Sequence, residues 1–500
     1  MDLLANLLLG FDTALTWTNL AYCFVGVFLG TLIGVLPGIG PIATMAMLLP
    51  ITYVLPPVAA LIMLAGIYYG AQYGGSTTAI LINLPGEASS VVTALDGYQM
   101  ARRGRAGAAL AIAALGSFFA GTVATLLIAA FAAPLAELAF QFGPADYFSL
   151  MVLGLVGAVV LASGSLLKAL AMIVLGLVLG LVGTDVNSGA QRFAFDVPEL
   201  GDGLNFVVVA MGLFGFAEII KNLEVGTHRT AQAARIGKLW PSREEFREAT
   251  PAVLRGTSFG AVLGVLPGGG ALLSAFAAYT LEKRLSKTPE RFGQGAVAGV
   301  AAPESANNAG AQTSFIPLLT LGLPSNAVMA LMAGAMMIHD IQPGPQVMTA
   351  NPALFWGLIV SMWIGNLMLL MLNLPLIGLW VRLLTVPYRY LYPAILLFCC
   401  IGVYSLNNNV FDVALAVFFG LLGYVFMKLG CEPAPLLLAF VLGPQMEEHL
   451  RRALLLSRGN WDTFIDRPIS LGLLLAAMLL LALTLFPVLA KRRKEAFVDD

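Results

Sequence analysis

The string GTLIGVLPGIGP at Gly30–Pro41 returns as GAVLGVLPGGGA at Gly260–Ala271, and the shared core GVLPGxG decides the fold. Each copy is an apolar, helix-forming run cut by Pro-Gly. Pro37 and Pro267 have no amide donor, and the flanking glycines admit backbone shapes closed to other residues. A second pair follows in the same order: GGSTTAILINLPGEASS at Gly74–Ser90 and AQTSFIPLLTLGLPSNA at Ala311–Ala327. Both set Ser/Thr-rich residues before an apolar stretch that ends in Leu-Pro-small. One such match is weak evidence; two in the same order point to internal duplication.

Composition says where these breaks lie. Of the 500 residues, 59% are apolar and 11% charged, with a net charge of −1. A typical soluble domain has about 25% charged residues. So few charges cannot coat a soluble chain of this length, which excludes a soluble enzyme, a nucleic-acid binder and a disordered protein. Solid apolar runs, not the alternation of about ten residues seen in barrel strands, exclude a β-barrel. What remains is an all-α polytopic membrane protein. Some apolar runs reach the roughly 20 residues that cross a bilayer. Others are cut short by the 53 Gly and 27 Pro. Broken backbone at that depth is tolerated only inside protein or along a wet cavity. The four cysteines and three histidines form no metal or disulfide spacing. Residues 1–20 do not read as a secretory signal.

Charge sets the orientation of the two copies. Residues 50–57, after the first GVLPGxG, carry no charge, whereas their counterpart Glu282–Arg291 is strongly basic. After the second motif the contrast reverses: Asp96–Arg105 holds Arg102, Arg103 and Arg105, and its counterpart 338–350 holds no Lys or Arg. Cytoplasmic loops are rich in Lys and Arg, so the expectation is two inverted-topology repeats with broken helices and re-entrant hairpins. Repeat 1 covers 1–220, with a hairpin around 76–95. Residues 221–255 form a basic cytoplasmic linker, with seven of the 27 Lys and Arg. Repeat 2 covers 256–447, with a hairpin around 313–335. Residues 448–500 hold a final transmembrane helix at 470–490 and the basic tail KRRK at 491–494. One segment fits poorly: 446–467 falls outside the spans, yet carries four arginines, unless 433–445 stops short of crossing.

The breaks point to anion binding. A broken helix bares N–H groups at the next helix start, which hold a carboxylate without Lys or Arg. No basic residue occurs before Arg102, so recognition should rest on amides and hydroxyls. The expected substrate-binding residues are Gly38, Gly40, Gly74, Gly75, Ser76, Thr77, Asn83, Pro85 and Gly86 in the first half. In the second half they are Gly268, Gly269, Gly270, Thr313, Ser314, Pro324, Ser325 and Asn326. An intramembrane carboxylate is a functional candidate by default. Glu304, with Asn307 and Asn308, is expected to bind a cation or carry a proton. Glu87 either does the same or caps a short helix, while Glu218 and Asp412 are expected at the interface. The bland alternatives are packing kinks and interhelical hydrogen bonds. The intramembrane protease motifs GxGD, GxSG and HExxH are absent, so no enzyme and no catalytic residue is expected. A channel fits two broken, inverted hairpins less well than alternating access does.

At these motifs the chain resembles the large membrane subunit of the tripartite tricarboxylate transporter family, the TctA family. The strings that carry the resemblance are GVLPGIGP at 34–41, YYGAQYGGSTTAILINLPGEASSVVTALDGYQMARRGRAG at 68–107, GVLPGGGA at 264–271, PESANNAGAQTSFIPLLTLGLPSNAVMALMAGAM at 303–336 and LGPQMEEHLRRALLLSRG at 442–459. The resemblance implies a bacterial inner-membrane secondary transporter for citrate-like carboxylates, driven by Na+ or H+ symport and moving as an elevator. It implies two partners, a small membrane subunit of about four helices and a periplasmic solute-binding protein. It implies no cofactor beyond a coupling Na+. A stand-alone anion symporter is the competing carrier reading.

Overall fold

The computed structural model describes residues 3–36, 40–84, 86–162, 165–185, 187–225, 236–266, 270–383 and 388–485. The expected site residues Gly38, Pro85, Gly268 and Gly269, the break prolines Pro37 and Pro267, and the KRRK tail lie outside these.

The first half runs α1 (Leu3–Ala14), α2 (Trp17–Val35), α3 (Pro41–Thr52), α4 (Pro57–Ile82), α5 (Val91–Met100), α6 (Ala106–Ala139), α7 (Pro144–Leu161) and α8 (Leu166–Gly180). A two-residue strand pair, Gly183–Thr184 with Gln191–Arg192, precedes α9 (Phe206–Ala210), which continues through a π turn into α10 (Ala217–Val225). The second half runs α11 (Arg243–Val265), α12 (Gly270–Leu285), α13 (Ala298–Thr313), α14 (Phe315–Leu321), α15 (Ala327–Ile338), α16 (Gln346–Ala350), α17 (Pro352–Asn373), α18 (Ile377–Leu383), α19 (Tyr388–Asn407), α20 (Val410–Lys428), α21 (Ala434–Leu456), α22 (Thr463–Asp466) and α23 (Pro468–Leu485). Among the described residues five helical runs are long and apolar enough to cross a membrane: 17–35, 88–139, 206–224, 352–373 and 410–428. The chain is an all-α multi-pass membrane protein.

Small residues let the helices touch backbone to backbone. Gly26, Gly30 and Gly34 of α2 lie against Met63, Ile67 and Ala71 of α4, and a Cβ on any of them would come within 2.6 Å of a carbonyl oxygen. Gly256, Gly260 and Gly264 of α11 lie as tightly against Ala302, Ala306 and Gly310 of α13. Both pairs run parallel. Without a hydrophobic drive between helices in lipid, such close packing is what holds them together. Each broken end is then closed by a hydroxyl from its neighbour. Thr78 donates to the Val35 carbonyl at 2.8 Å, and Ser314 donates to the Gly264 carbonyl at 3.3 Å. These bonds satisfy carbonyls that the break leaves without a helical partner.

The segments expected as re-entrant hairpins take another form. α4 is one helix of 26 residues that ends at the left-handed Asn83. The chain then returns, with Gly86 meeting Gly75 and the Ser89 hydroxyl donating to Gln72 Oε1 at 3.1 Å. Gly97 lies on Ile80, so α5 runs parallel to the last turns of α4 instead of back along them. In the second half the chain turns at Gly322 and returns likewise, with Ser325 donating to the Ser314 carbonyl at 3.4 Å and Asn326 to the Ser314 hydroxyl at 3.2 Å. Asp96 ties α5 to the loop before α13, accepting the Gly293, Gly295 and Ala296 amides at 2.7–2.9 Å.

The basic segments gather. Arg105 pairs with Glu245, Arg291 reaches Glu248 at 3.6 Å and Arg255 reaches Glu282 at 2.5 Å. The loops without Lys or Arg meet elsewhere, with His339 beside Thr52. The expected linker is shorter than 221–255, since α10 runs to Val225 and α11 begins at Arg243. The misfit at 446–467 also resolves. α21 is 23 residues long, about 34 Å, so 433–445 and the first half of the misfit segment form one helix. Three of the four arginines of 446–467 are matched by acids: Arg451 to Asp185 and Glu447, Arg452 to Glu448, and Arg467 to Asp146.

Candidate substrate cavity

A cavity of about 340 Å³ lies between the two halves. Four helices begin on its wall: α3 at Gly40 and Pro41, α12 at Gly270–Leu272, α15 at Asn326–Val328 and α21 at Ala434 and Pro435. The turn Glu87–Ser89 that leads into α5 forms a further side. Each helix start carries about half a positive charge. Among the described lining residues none is Lys or Arg. Gly270 sits at φ +50, where a side chain would be strained, and an added Cβ would come 3.1 Å from Asn326 Nδ2. Asn326 caps α15, its Oδ1 accepting from the Met329 amide at 3.0 Å. The arrangement suits an anion of small-molecule size.

Three carboxylates also line this cavity: Glu87, Glu218 and Glu432. Glu87 accepts from the Ser89 hydroxyl and from Asn307 Nδ2 at 3.1 Å, and its own amide meets Ser90 Oγ at 3.5 Å. It therefore both shapes the short turn and faces the cavity. Glu218, expected at the interface, lies on the cavity wall, 3.9 Å from Lys221. Asp412 stays in the first turn of α20, accepting from Asn407 at 2.8 Å.

Of the described substrate candidates, Gly40, Gly270, Ser325 and Asn326 meet at this wall. The others fall elsewhere for identifiable reasons. Gly74, Gly75 and Gly86 are places of close backbone approach, to Thr31, Glu87 and Gly34. Thr313 and Ser314 donate to carbonyls of their own helix at 3.0 and 2.7 Å, and Asn83 and Pro324 belong to the turns. Ser76 and Thr77 line a second, smaller cavity with Glu304. There Ser76 lies 2.8 and 2.7 Å from the two Glu304 oxygens, Thr93 donates to Glu304, and Ser117 lies at 3.5 Å. Asn308 holds Ser117 at 2.7 Å from behind. Sequence reasoning missed Tyr68, Gln72 and Glu432 at the large cavity, and Thr93, Ser117 and Asn373 near the small one. Tyr68, Gln72 and Thr93 lie inside the string at 68–107, but no spacing marks any of the six as a lining residue.

The sequence profile of the tripartite tricarboxylate transporter TctA family matches residues 20–438. An uncharacterized 52.8 kDa protein of the TAR-I ttuC' 3' region of Agrobacterium vitis is 61% identical over 500 residues, all of both chains. An uncharacterized protein of the TAR-II ttuC' 3' region of the same organism is 60% identical over 241 residues, 48% of this chain and all of its own. No solved structure matches the chain. A profile match over most of the chain, on a helical scaffold with a cavity between its halves, makes this protein a member of the tripartite tricarboxylate transporter TctA family.

Proposed function

We propose that this chain is the large transmembrane subunit of a solute-binding-protein-dependent secondary transporter. It imports carboxylates, citrate-like tricarboxylates among them, across the bacterial inner membrane by symport with Na+ or H+. A periplasmic binding protein delivers the substrate, and a small membrane subunit of about four helices completes the complex. The observation that carries this reading is the cavity wall: four helix starts and no described basic side chain. Dipoles fixed in the backbone bind a carboxylate and release it again, whereas buried Arg pairs bind more tightly.

Two further features support it. The parallel, glycine-packed pairs α2–α4 and α11–α13 suit a duplicated unit, and the separation of the basic loops from those without Lys or Arg suits two copies inserted in opposite senses. The paired breaks beside one cavity suit an elevator-type carrier. Residues 1–220 and 256–447 are the two repeats in this reading. Among the other described candidates, Gly74, Gly75, Gly86, Thr313 and Ser314 act through packing behind the wall.

The test is uptake of labelled citrate into proteoliposomes holding this chain and its small subunit, under an imposed Na+ or H+ gradient. The expected result is saturable uptake that requires the binding protein. Equal uptake without it would assign a stand-alone symporter, and a citrate current that does not saturate would assign a channel.

A further inference from the structure

The small cavity beside Glu304 differs in kind from the large one. Its volume is about 10 Å³, room for one water-sized occupant. Its polar lining is Tyr73, Ser76 and Thr77 of α4, Ser117 of α6, Glu304 of α13 and Asn373 at the end of α17. Among the described lining residues none is Lys or Arg. Two oxygens are left over. The Tyr73 hydroxyl and Asn373 Oδ1 have no hydrogen-bond partner among the described residues, although each residue is only 4% exposed. The orientation of Asn373 is fixed, because its Nδ2 donates to the Leu369 carbonyl at 2.9 Å. Turned over, it would set two acceptors against each other.

Unpaired oxygens in a dry interior are costly, and a buried carboxylate without a positive partner is costlier still. One small cation removes both penalties. The surroundings favour it further: Asn373 and Leu374 mark the C-terminal end of the 22-residue α17, where the helix presents partial negative charge. Oxygen-only ligands select a hard cation, and a single carboxylate suits one charge better than two. A cavity of water size suits Na+ better than K+.

We propose that this cavity is a Na+ site, with Glu304 its charged ligand and with Ser76, Thr77, Ser117, Tyr73 and Asn373 supplying neutral oxygens. Its role as a coupling site rests on the carrier reading above; the binding itself does not. Thr93 donates to Glu304 from α5, and the turn before α5 forms part of the anion cavity wall. Asn307, one turn from Glu304, bonds Glu87 on that same wall. An ion at Glu304 thereby stiffens the surface that meets the carboxylate.

The test is retention of radioactive sodium by the full chain in lipid nanodiscs, alongside thermal unfolding in NaCl and in KCl, with no substrate present. The wild type retains sodium saturably and unfolds at a higher temperature in NaCl. Glu304→Gln loses both effects. Thr77→Val and Asn373→Ala, which keep the carboxylate, weaken sodium affinity about tenfold and unfold in KCl as the wild type does. Wild-type protein that retains no sodium and unfolds identically in the two salts overturns the proposal, whatever the variants do. So does sodium retention unchanged in both neutral variants. Stabilisation by acid alone, without sodium retention, assigns Glu304 to a proton and overturns it too. Failure of the carrier reading looks different: sodium binds, and citrate is not taken up.

Discussion

The two cavities are built differently, one around helix starts and the other mainly from side chains within helices. The large one collects four helix starts, the carboxylates of Glu87, Glu218 and Glu432, and no described basic side chain. The small one collects a carboxylate, three aliphatic hydroxyls, a phenol, an amide oxygen and the end of α17. In the proposed reading, the difference teaches how a chain with 11% charged residues would keep two ions of opposite sign apart. On that reading the anion would meet helix starts and the cation would meet side chains. Substitution should therefore hurt the two places in different ways.

The largest effect is expected at Glu304→Ala. It strips Ser76, Thr93 and Ser117 of a shared acceptor and should lower stability by about 3 kcal/mol or more, read from the unfolding midpoint in detergent. A midpoint within error of wild type would show that the cluster holds nothing together. Next is Gly270→Val. It forces a β-branched residue to φ +50 against Asn326, a strain of about 1–2 kcal/mol, and it fills the anion wall. The half-saturating citrate concentration should rise about tenfold, with sodium retention unchanged. Loss of sodium retention there instead would merge the two cavities into one site.

A smaller contrast lies within the second motif. Asn326→Ala removes the cap of α15 and should cost about 1 kcal/mol and weaken citrate uptake severalfold. Thr313→Ala should leave uptake nearly unchanged, because that hydroxyl bonds its own helix at Ala309. The reverse ranking would move the anion away from the wall described.

The smallest effect lies outside both cavities, at Asp185 in the loop after α8. The Asn187 amide and the Arg451 guanidinium hold its carboxyl down to about 2, against about 3.9 when unperturbed. A depressed carboxyl stabilises above its unfolded value and loses that contribution as pH falls through its folded one. Exchange protection of the strand pair should thus be flat from pH 7 to pH 5 and fall between about pH 4 and pH 2. A fall already complete at pH 5 would contradict the Arg451 tie.

The sequence makes the breaks legible, because Pro and Gly clustered together are the strongest interrupters of a helix that composition already demands. Gly40, Gly270, Ser325 and Asn326 follow from that logic and reach the wall. Glu304 stands out because a carboxylate in an apolar run needs a reason. Thr93, Ser117 and Asn373 do not stand out. A lone hydroxyl on a helix usually bonds its own backbone, as Thr313 does, and only tertiary proximity separates the two cases. The form of the hairpins was equally hidden. Leu-Pro-small at Leu84–Gly86 says that the helix stops, but the return path depends on Gly75 and Gly34 leaving room for Gly86. Glu218 looks interfacial in sequence and Glu432 does not stand out, since nothing local shows that α10 and the start of α21 border one cavity.

The most direct test is a cryo-electron-microscopy map of the complete complex with citrate and NaCl. Density for the acid should lie between Gly40, Gly270 and Ser325–Asn326, with its carboxylates against the starts of α3, α12 and α15. Citrate density on the Arg102–Arg105 segment, with none between those helix starts, would contradict the backbone as the anion's partner.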